Sequence, residues 1–508
     1  MNSSAAPNIS LRPSHLLRLT WPIIASQASL LLMQLADIWM VSRLGSLALA
    51  AIGGASLAVL SLATLGTGFL TVVPTLVGQA FGANQPRRCI HLAWQGLWSA
   101  LAIGVAILLF YPAAPYIFTM LGHSEAVTHM EITYFRISLV ALLPQLVALC
   151  LMNYFLAIQQ PRIVLIAAAS AVTLNVGFNY ALIFGKFGAP ALGLAGAAWG
   201  TLLSSAIQLL LILVFFFFQK DAKKFGAFRP TLSVPDIRQL WRVGGPAGIQ
   251  DAVDWGTLGI LLVFLVGKFG DAHLAATSLL FRFMQLALLP ADGLGIVLMS
   301  LVANAIGAGK KDQAIAISRI GFMIILSYMT FMSIAFFILR VPIVGLFTND
   351  SEVFTIAVQA MVCVCLFQLF DALNVTYIHT LQGAGDSAWP SVVNFLLSAV
   401  VMLGGGLLVI HYIPTVGSFG IWGLAALLTG LQGGAFWARW HFGPWQSIDL
   451  RNIPAPILTA DVSELWNSEL LNIGRIYRSE SQLRSETSRW EDASLPTKTN
   501  KDRVKKPV

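Results

Sequence analysis

Twelve long apolar segments decide what this chain can fold into, because each is about as long as a bilayer is thick. A helix needs roughly 20 consecutive apolar residues to cross the hydrocarbon core. The segments lie at 16–41, 46–80, 90–112, 131–157, 162–184, 190–218, 240–267, 273–307, 314–340, 353–381, 388–412 and 417–440. Charged residues make up 11% of the chain, against about 25% in a soluble domain. The runs are continuous, without the alternation of a β-barrel, so the sequence predicts an all-α integral membrane protein.

Lysine and arginine residues concentrate in the loops that follow even-numbered spans. These loops carry Arg87, Arg88, Arg162, Lys310, Lys311 and, in the central connector, Lys220, Lys223, Lys224, Arg229, Arg238 and Arg242. Cytoplasmic loops are enriched in basic residues. We therefore expect a multi-pass protein of the cell inner (plasma) membrane with both termini in the cytoplasm and no cleaved signal peptide. This orientation explains the net charge of +8 without a nucleic-acid partner.

The two halves of the chain resemble each other at a nearly constant offset. The matches are "VSRLGSLALAA" (41–51) with "VGKFGDAHLAA" (266–276), "LVGQAFGANQPRR" (76–88) with "LVANAIGAGKK" (301–311), "GLAGAAWG" (193–200) with "GSFGIWG" (417–423), and Pro22 with Pro246. Each half holds six spans, so equivalent helices run in the same direction. The sequence thus predicts two six-helix bundles related by a parallel pseudo-two-fold repeat.

Composition divides the chain into five parts. We expect a short cytoplasmic N-terminus (1–15), an N-terminal six-helix lobe (16–218), a cytoplasmic linker (219–239) and a C-terminal six-helix lobe (240–440). The remaining segment (441–508) is rich in Ser, Thr and charged residues. Such a composition favours a mostly disordered cytoplasmic tail.

Five aspartates lie inside the apolar spans, where charge is expensive. They are Asp37, Asp251, Asp254, Asp292 and Asp371. An aspartate at the centre of a membrane helix costs roughly 2.5–3.5 kcal/mol on insertion scales. Intramembrane carboxylates are therefore candidates for function.

Asp37 is the candidate ion- or proton-binding residue of the first half. Gln34 lies one turn earlier on the same helix face, and Pro22 lies near the helix start, where it removes a backbone hydrogen bond. Asn175 and Asn179 are four residues apart and share a face of the fifth span. Their oxygens suit a small cation or a protonated carboxyl group, although asparagines also join membrane helices without further function.

Asp254 and Asp371 are the corresponding candidates of the second half. They lie in different spans of one bundle and are suited to share a proton or a sodium ion. Asp251, three residues before Asp254, is a weaker candidate for the substrate cleft. The alternative is an ion pair, because Arg282 in the eighth span is available to neutralise one aspartate.

Asp292 has a structural interpretation at this stage. It lies between Pro290 and Gly293, where the sequence favours a helix break with Asp292 capping the second piece. Near the start of the fourth span, Arg136 is expected to reach the membrane surface or to pair with an acidic residue of the same helix.

The carboxylates do not follow the repeat. The offset puts Asp37 opposite Leu261 or Leu262, and Asp254 opposite Leu30. The two halves are therefore predicted to share the packing of their helices but to carry different polar sites. An asymmetric cleft lined with acidic side chains suits a positively charged ligand.

In these features the chain resembles the multidrug and toxic compound extrusion (MATE) family, and most of all its bacterial NorM-type members. The resemblance covers about 16–440 and rests on Pro22, Asp37, "GQAFGANQ" (78–85), Asn175, Asn179, Asp254 and "QLFDAL" (368–373). It implies one ion or proton site at Asp37, Asn175 and Asn179 and a second at Asp254 and Asp371. Some relatives have aspartate in place of Asn179, and NorM-type relatives have glutamate in place of Asp254.

The resemblance implies a monomeric, secondary active exporter of cationic or amphipathic small molecules, driven by Na⁺ or H⁺. It needs no cofactor and no tightly bound metal, and its other partner is membrane lipid. One alternative is a flippase for lipid-linked oligosaccharides or polyisoprenoids, which would want a basic cleft for pyrophosphate. A second is a receptor or scaffold that transports nothing. An enzyme is not expected, since no metal spacing, nucleophile elbow or phosphate-binding loop occurs.

Overall fold

The computed structural model describes residues 13–120, 122–219, 222–348 and 350–448. Within these ranges the chain forms helices and turns and no β-strand. The predicted disordered tail falls almost entirely outside the described residues, as do residues 1–12.

The first six long helices are close to the first six predicted spans. They are α1 (Pro13–Ser42), α2 (Ser46–Gly82, interrupted at Thr71), α3 (Pro86–Ile107), α4 (Glu125–Ala157), α5 (Pro161–Phe184) and α6 (Leu194–Phe218). The largest difference is at α4, which begins six residues before the predicted span. This extension brings Glu131 inside the helix.

The second six long helices follow the same plan. They are α7 (Val234–Gly267), α8 (Asp271–Gly307), α9 (Lys311–Gly345), α10 (Ser351–Ala384), α11 (Ala388–Tyr412) and α12 (Gly417–Phe442). Twelve helices of the described chain are long and apolar enough to cross a membrane, which confirms the predicted fold class. Helix α7 begins within the segment predicted as a linker, and the division into domains stays a prediction.

The repeat is visible in the backbone as well as in the sequence. Gly45 precedes α2 with φ of 104°, and Gly270 precedes α8 with φ of 110°. Gly193 and Gly417, at the starts of α6 and α12, both have φ of 58°. Glycine tolerates such positive φ values far better than other residues. Equivalent turns in the two halves therefore require the same residue type.

Helix α8 contradicts the predicted break at Asp292. It is continuous from Asp271 to Gly307 and contains Pro290 in its interior, so Asp292 caps no helix. The prediction was wrong because Pro290 and Gly293 were interpreted as helix breakers. In a membrane, the neighbouring helices of a bundle allow a helix to continue past such residues.

Two segments of the second half depart from α-helical geometry. Residues Gly256–Leu261 of α7 and Ser398–Gly404 of α11 are π-helical. Such segments are often found at functional sites. The first of them begins two residues after Asp254, a candidate residue of the second half.

Helices α2 and α8 join the two halves through a pair of equivalent contacts, which we call the α2/α8 seam. Thr75 Oγ1 donates to the Gln382 carbonyl at 2.9 Å, and Gln79 Nε2 donates to the Gly383 carbonyl at 3.3 Å. Both acceptors lie in the last turn of α10. The last carbonyls of a helix lack partners within it, so α2 of one half caps α10 of the other.

The second contact of the seam repeats the first. Ser300 Oγ donates to the Leu156 carbonyl at 3.1 Å, and Asn304 Nδ2 donates to the Ala157 carbonyl at 3.3 Å. Ser300 and Asn304 follow Thr75 and Gln79 by 225 residues, the offset of the sequence repeat. Helix α8 therefore caps α4 as α2 caps α10.

Candidate functional site

The Asp37 carboxylate is held by amide side chains of α5. Asn179 Nδ2 donates to Asp37 Oδ1 at 2.6 Å and lies 3.1 Å from Asn175 Oδ1. Asn175 Nδ2 donates to Thr201 Oγ1 of α6 at 3.2 Å. Both asparagines are fully buried. The three predicted residues of the first half are thus brought together.

A glycine of α6 makes room for this network. A Cβ at Gly200 would overlap with Asn179 Oδ1, and that buried oxygen has no hydrogen-bond partner among the described residues. Gln34 is exposed on α1, and Pro22 is buried inside the continuous helix α1. The proposed supporting roles of Gln34 and Pro22 stay predictions.

In the second half, Asp254 is held in a similar way by an amide. Asn394 Nδ2 of α11 donates to Asp254 Oδ1 at 2.8 Å. Asn394 Oδ1 accepts from Ser398 Oγ at 3.3 Å and from Gln432 Nε2 of α12. Asn394 and Gln432 were not among the predicted site residues, although both are polar residues within apolar spans.

Asp371 of α10 is buried, with a relative exposure of 5%. Asn374 Nδ2 donates to Asp371 Oδ1 at 3.3 Å. In the described part of the chain, the other oxygen, Oδ2, is buried without a hydrogen-bond partner. Gln368, one turn earlier, is fully buried, and neither of its side-chain polar atoms is bonded within that part. The surroundings of Asp371 therefore contain unused hydrogen-bonding capacity.

Asp251 and Asp292 lie within electrostatic range of Asp254 and Asp371. Asp251 interacts electrostatically with Asp254 and Asp292, and Asp371 interacts with Asp292 and Asp254. A Cβ at Gly68 of α2 would lie 2.7 Å from Asp251 Oδ2, so Asp251 borders the other half. Mutual repulsion of four carboxylates favours states in which a proton or cation neutralises part of their charge.

These aspartates are not paired with cationic side chains in the ranges described. The ion pairs found there are Arg88–Asp236, His91–Asp236, His123–Glu131 and Arg439–Asp386. Arg282, the predicted alternative partner, is exposed on α8 and forms none of these pairs. No group of three or more His, Cys, Asp or Glu side chains in the described ranges is arranged to hold a metal ion.

The sites of the two halves lie on equivalent pairs of helices, but at different positions along the helix axis. Asp37 and Asn179 join α1 to α5, and Asp254 and Asn394 join α7 to α11. The repeat places Asp254 opposite Leu30. That is seven residues from Asp37, or roughly 10 Å at about 1.5 Å per residue.

The fold and the site together define a class of protein, the twelve-helix membrane transporters built of two six-helix lobes. The MatE family model matches residues 22–181 and 256–406. The chain belongs to the MatE family.

Curated relatives and solved structures agree with this assignment. A protein of Synechocystis sp. named "Probable multidrug resistance protein NorM" is 25% identical over 448 residues, covering 87% of this chain and 96% of its own. One of the same name from Pseudomonas putida is 29% identical over 398 residues, covering 75% and 84%. The outward-facing structure of a multidrug resistance MATE family transporter shares the fold, with a TM-score of 0.78, 18% identity and coverage of 88% and 100%. These relatives are transporters and not enzymes.

Proposed function

We propose that the protein is a secondary active multidrug efflux transporter that exports organic cations and other drugs in exchange for Na⁺ or H⁺. The observation that carries this proposal is that the aspartates inside both lobes are held by neutral amides. An amide positions a carboxylate without cancelling its charge, so the carboxylate stays able to bind a cation. Intramembrane carboxylates held in this way are costly unless they serve function.

In this proposal each lobe has its own cation site. Asp37, Asn175 and Asn179 bind the coupling ion or proton in the first lobe, and Asp254 and Asp371 do so in the second. The hydrogen bonds around each carboxylate support the assignment.

Three further residues have supporting roles. Asp251 borders the cleft between the lobes, Gln34 supports Asp37, and Pro22 is the point at which α1 bends when Asp37 is neutralised. To these we add Asp292, because its carboxylate interacts with Asp251 and Asp371.

Transport proceeds by alternating access, and the α2/α8 seam supports this part of the proposal. The basic residues Arg87, Arg88, Lys310 and Lys311 follow α2 and α8 directly. By the positive-inside rule the seam then lies on the cytoplasmic side. The lobes are joined there, so this is the state from which an exporter loads its coupling ion from outside.

A single coupling ion supplies enough energy for useful export. When one singly charged drug leaves for each coupling ion that enters, no net charge crosses the membrane, and a tenfold gradient of the ion, worth about 1.4 kcal/mol, supports a tenfold gradient of the drug. The exporter acts as a monomer in the inner membrane with cytoplasmic termini, and it needs no cofactor besides the coupling ion. The acidic clusters give no support to a flippase, whose pyrophosphate cargo would be repelled.

Efflux from proteoliposomes tests the proposal. The purified protein is reconstituted with a fluorescent organic cation, and efflux is measured under a Na⁺ gradient alone and then under a pH gradient alone. At least one gradient is expected to drive efflux, and Asp37→Asn and Asp371→Asn are expected to abolish it, because a neutral amide cannot exchange a charge. The matched control is Asp271→Asn, which changes an exposed aspartate in the first turn of α8. Wild-type efflux in both site variants would refute the proposal.

A further inference from the structure

Glu131 is a carboxylate inside the first lobe that the proposed transport cycle leaves unused. It lies in the second turn of α4, and its side chain is 0% exposed. Helix α2 approaches it at Gly54, where an added Cβ would overlap with Glu131 Oε1. A fully buried carboxylate is as costly here as at Asp37, so it calls for a function of its own.

His123 connects this buried carboxylate to the surface. Its Nδ1 lies 3.1 Å from both Oε1 and Oε2 of Glu131, and its side chain is 43% exposed. The loop that carries His123 follows the odd-numbered helix α3. The orientation proposed above therefore puts it on the outer side of the membrane.

Other titratable groups near this end of α4 point elsewhere. Arg136, for which the sequence allowed a pairing with an acidic residue of α4, donates instead from Nε to the Tyr111 carbonyl at 3.2 Å and covers the Tyr111 ring. Glu125, His129 and Tyr116 are exposed. Helix α2 contains no titratable residue, and the basic residues of α3 lie at its opposite end. Within the described ranges, the ion-pair partner of the Glu131 carboxylate is thus a histidine. No lysine or arginine of these ranges pairs with it.

Tyr134 lies on α4 between Glu131 and the region of Asp37. It follows Glu131 by three residues, so the two side chains are neighbours on α4. Tyr134 and Ala36, which precedes Asp37 on α1, pack against the same cluster of buried apolar residues, and Ser56 of α2 and Ser138 of α4 lie beside the tyrosine hydroxyl. The tyrosine therefore lies on the way from the exposed histidine to the proposed coupling site of the first lobe.

We propose that His123 and Glu131 form the entrance through which a proton from the outer side reaches Asp37. This inference rests on the proposed function and deepens it, because it assigns proton coupling to the first lobe. Histidine exchanges protons at pH values from about 5 to 8, whereas hard metal cations prefer a shell of oxygen ligands. A histidine beside one carboxylate is suited to protons and poorly suited to Na⁺.

The proton reaches Asp37 in two steps. His123 takes a proton from water at Nε2, its Nδ1–H bond breaks, and an O–H bond forms on Glu131, which leaves a neutral imidazole and a carboxylic acid. The O–H bond of Glu131 then breaks and an O–H bond forms on the Asp37 carboxylate, with the Tyr134 hydroxyl as the relay between them, which gives up one proton as it takes another. One proton has moved to Asp37, and Tyr134 is unchanged.

Proton-driven efflux of a fluorescent organic cation from proteoliposomes tests this entrance. Glu131→Gln is expected to lower the initial rate about tenfold or more, since tenfold corresponds to only about 1.4 kcal/mol in a barrier. Dye binding to the purified variant should stay at the wild-type level, because Glu131 lies outside the two proposed cation sites. His123→Gln is expected to flatten the dependence of the rate on external pH between about 6 and 8. The matched control is Glu125→Gln, an exposed glutamate of the same helix.

The outcomes separate this inference from the function on which it rests. Wild-type rates and pH profiles in the His123 and Glu131 variants, with an inactive Asp37→Asn variant, would overturn the entrance and leave the exporter intact. Wild-type efflux in both Asp37→Asn and Asp371→Asn would overturn both, whereas an active Asp37→Asn variant beside an inactive Asp371→Asn variant would overturn the entrance alone. If Glu131→Gln does not fold, the pH profile of His123→Gln decides, because His123 lies at the surface. Efflux driven as fast by Na⁺ alone as by protons would also overturn the entrance.

Discussion

The residues around Asp37 position its carboxylate without cancelling its charge, which is what the proposed cation site requires. Asn179 contributes one short hydrogen bond of 2.6 Å, and its own orientation depends on Asn175 and on the space at Gly200. The sequence predicted the asparagine pair because a spacing of four puts two side chains on one helix face. It did not predict the contribution of Gly200. That glycine lies on α6, and it contributes only because it has no side chain to collide with Asn179 on α5.

Gly200→Ala is expected to impair transport nearly as much as Asn179→Ala. The added methyl group displaces the Asn179 amide, and the Asp37 carboxylate loses a charge-assisted hydrogen bond worth about 1.5–3 kcal/mol. Ion-driven efflux in proteoliposomes measures the effect. The matched control is Gly177→Ala on α5, where an added Cβ meets nothing within 4 Å. Equal efflux in the Gly200 and Gly177 variants would contradict this account of the site.

Among the helices, most of the architecture was predictable from hydropathy alone. Each apolar run became one helix, because backbone groups in a bilayer must be satisfied within the helix. The same constraint explains the error at Asp292, since Pro290 does not end α8. The π-helical segments and the capping of α4 and α10 across the seam were not predictable. They depend on which helices meet, and no local pattern encodes that.

Gly82 and Gly307 allow the closest approach of α2 and α8. A Cβ at Gly82 would overlap with the Asn304 carbonyl, and a Cβ at Gly307 would overlap with the Gln79 carbonyl. Both obstacles are backbone atoms, which cannot move aside as a flexible side chain can. Gly82→Ala and Gly307→Ala are therefore expected to force the seam apart.

Spin labels on α2 and α8 at their seam ends measure this opening as a longer interspin distance. The same labels should report the wild-type distance in Gly267→Ala, a change in the last turn of α7 with open space around it. Unchanged distances in both seam variants would show that the seam does not hold the lobes together.

On the scale of the whole molecule, a symmetric scaffold carries two asymmetric sites. The turns, the seam and the helix pairs follow the repeat, while Asp254 lies about two helical turns from the position equivalent to Asp37. The sequence analysis detected this mismatch from the offsets. It did not detect that Asn394 and Gln432 support Asp254, because those partners are 140 residues or more away along the chain. In the proposed cycle, both sites therefore exchange cations, at different depths of the membrane.

The central claim is that the buried aspartates exchange a small cation for a drug cation, and displacement tests it most directly. A cationic drug is added to the purified protein in weakly buffered solution, and released protons and released radioactive Na⁺ are counted together. The account predicts release of about one positive charge for each drug bound, with the release lost in a variant that combines Asp37→Asn and Asp371→Asn. Drug binding that releases neither ion from the wild-type protein would contradict it.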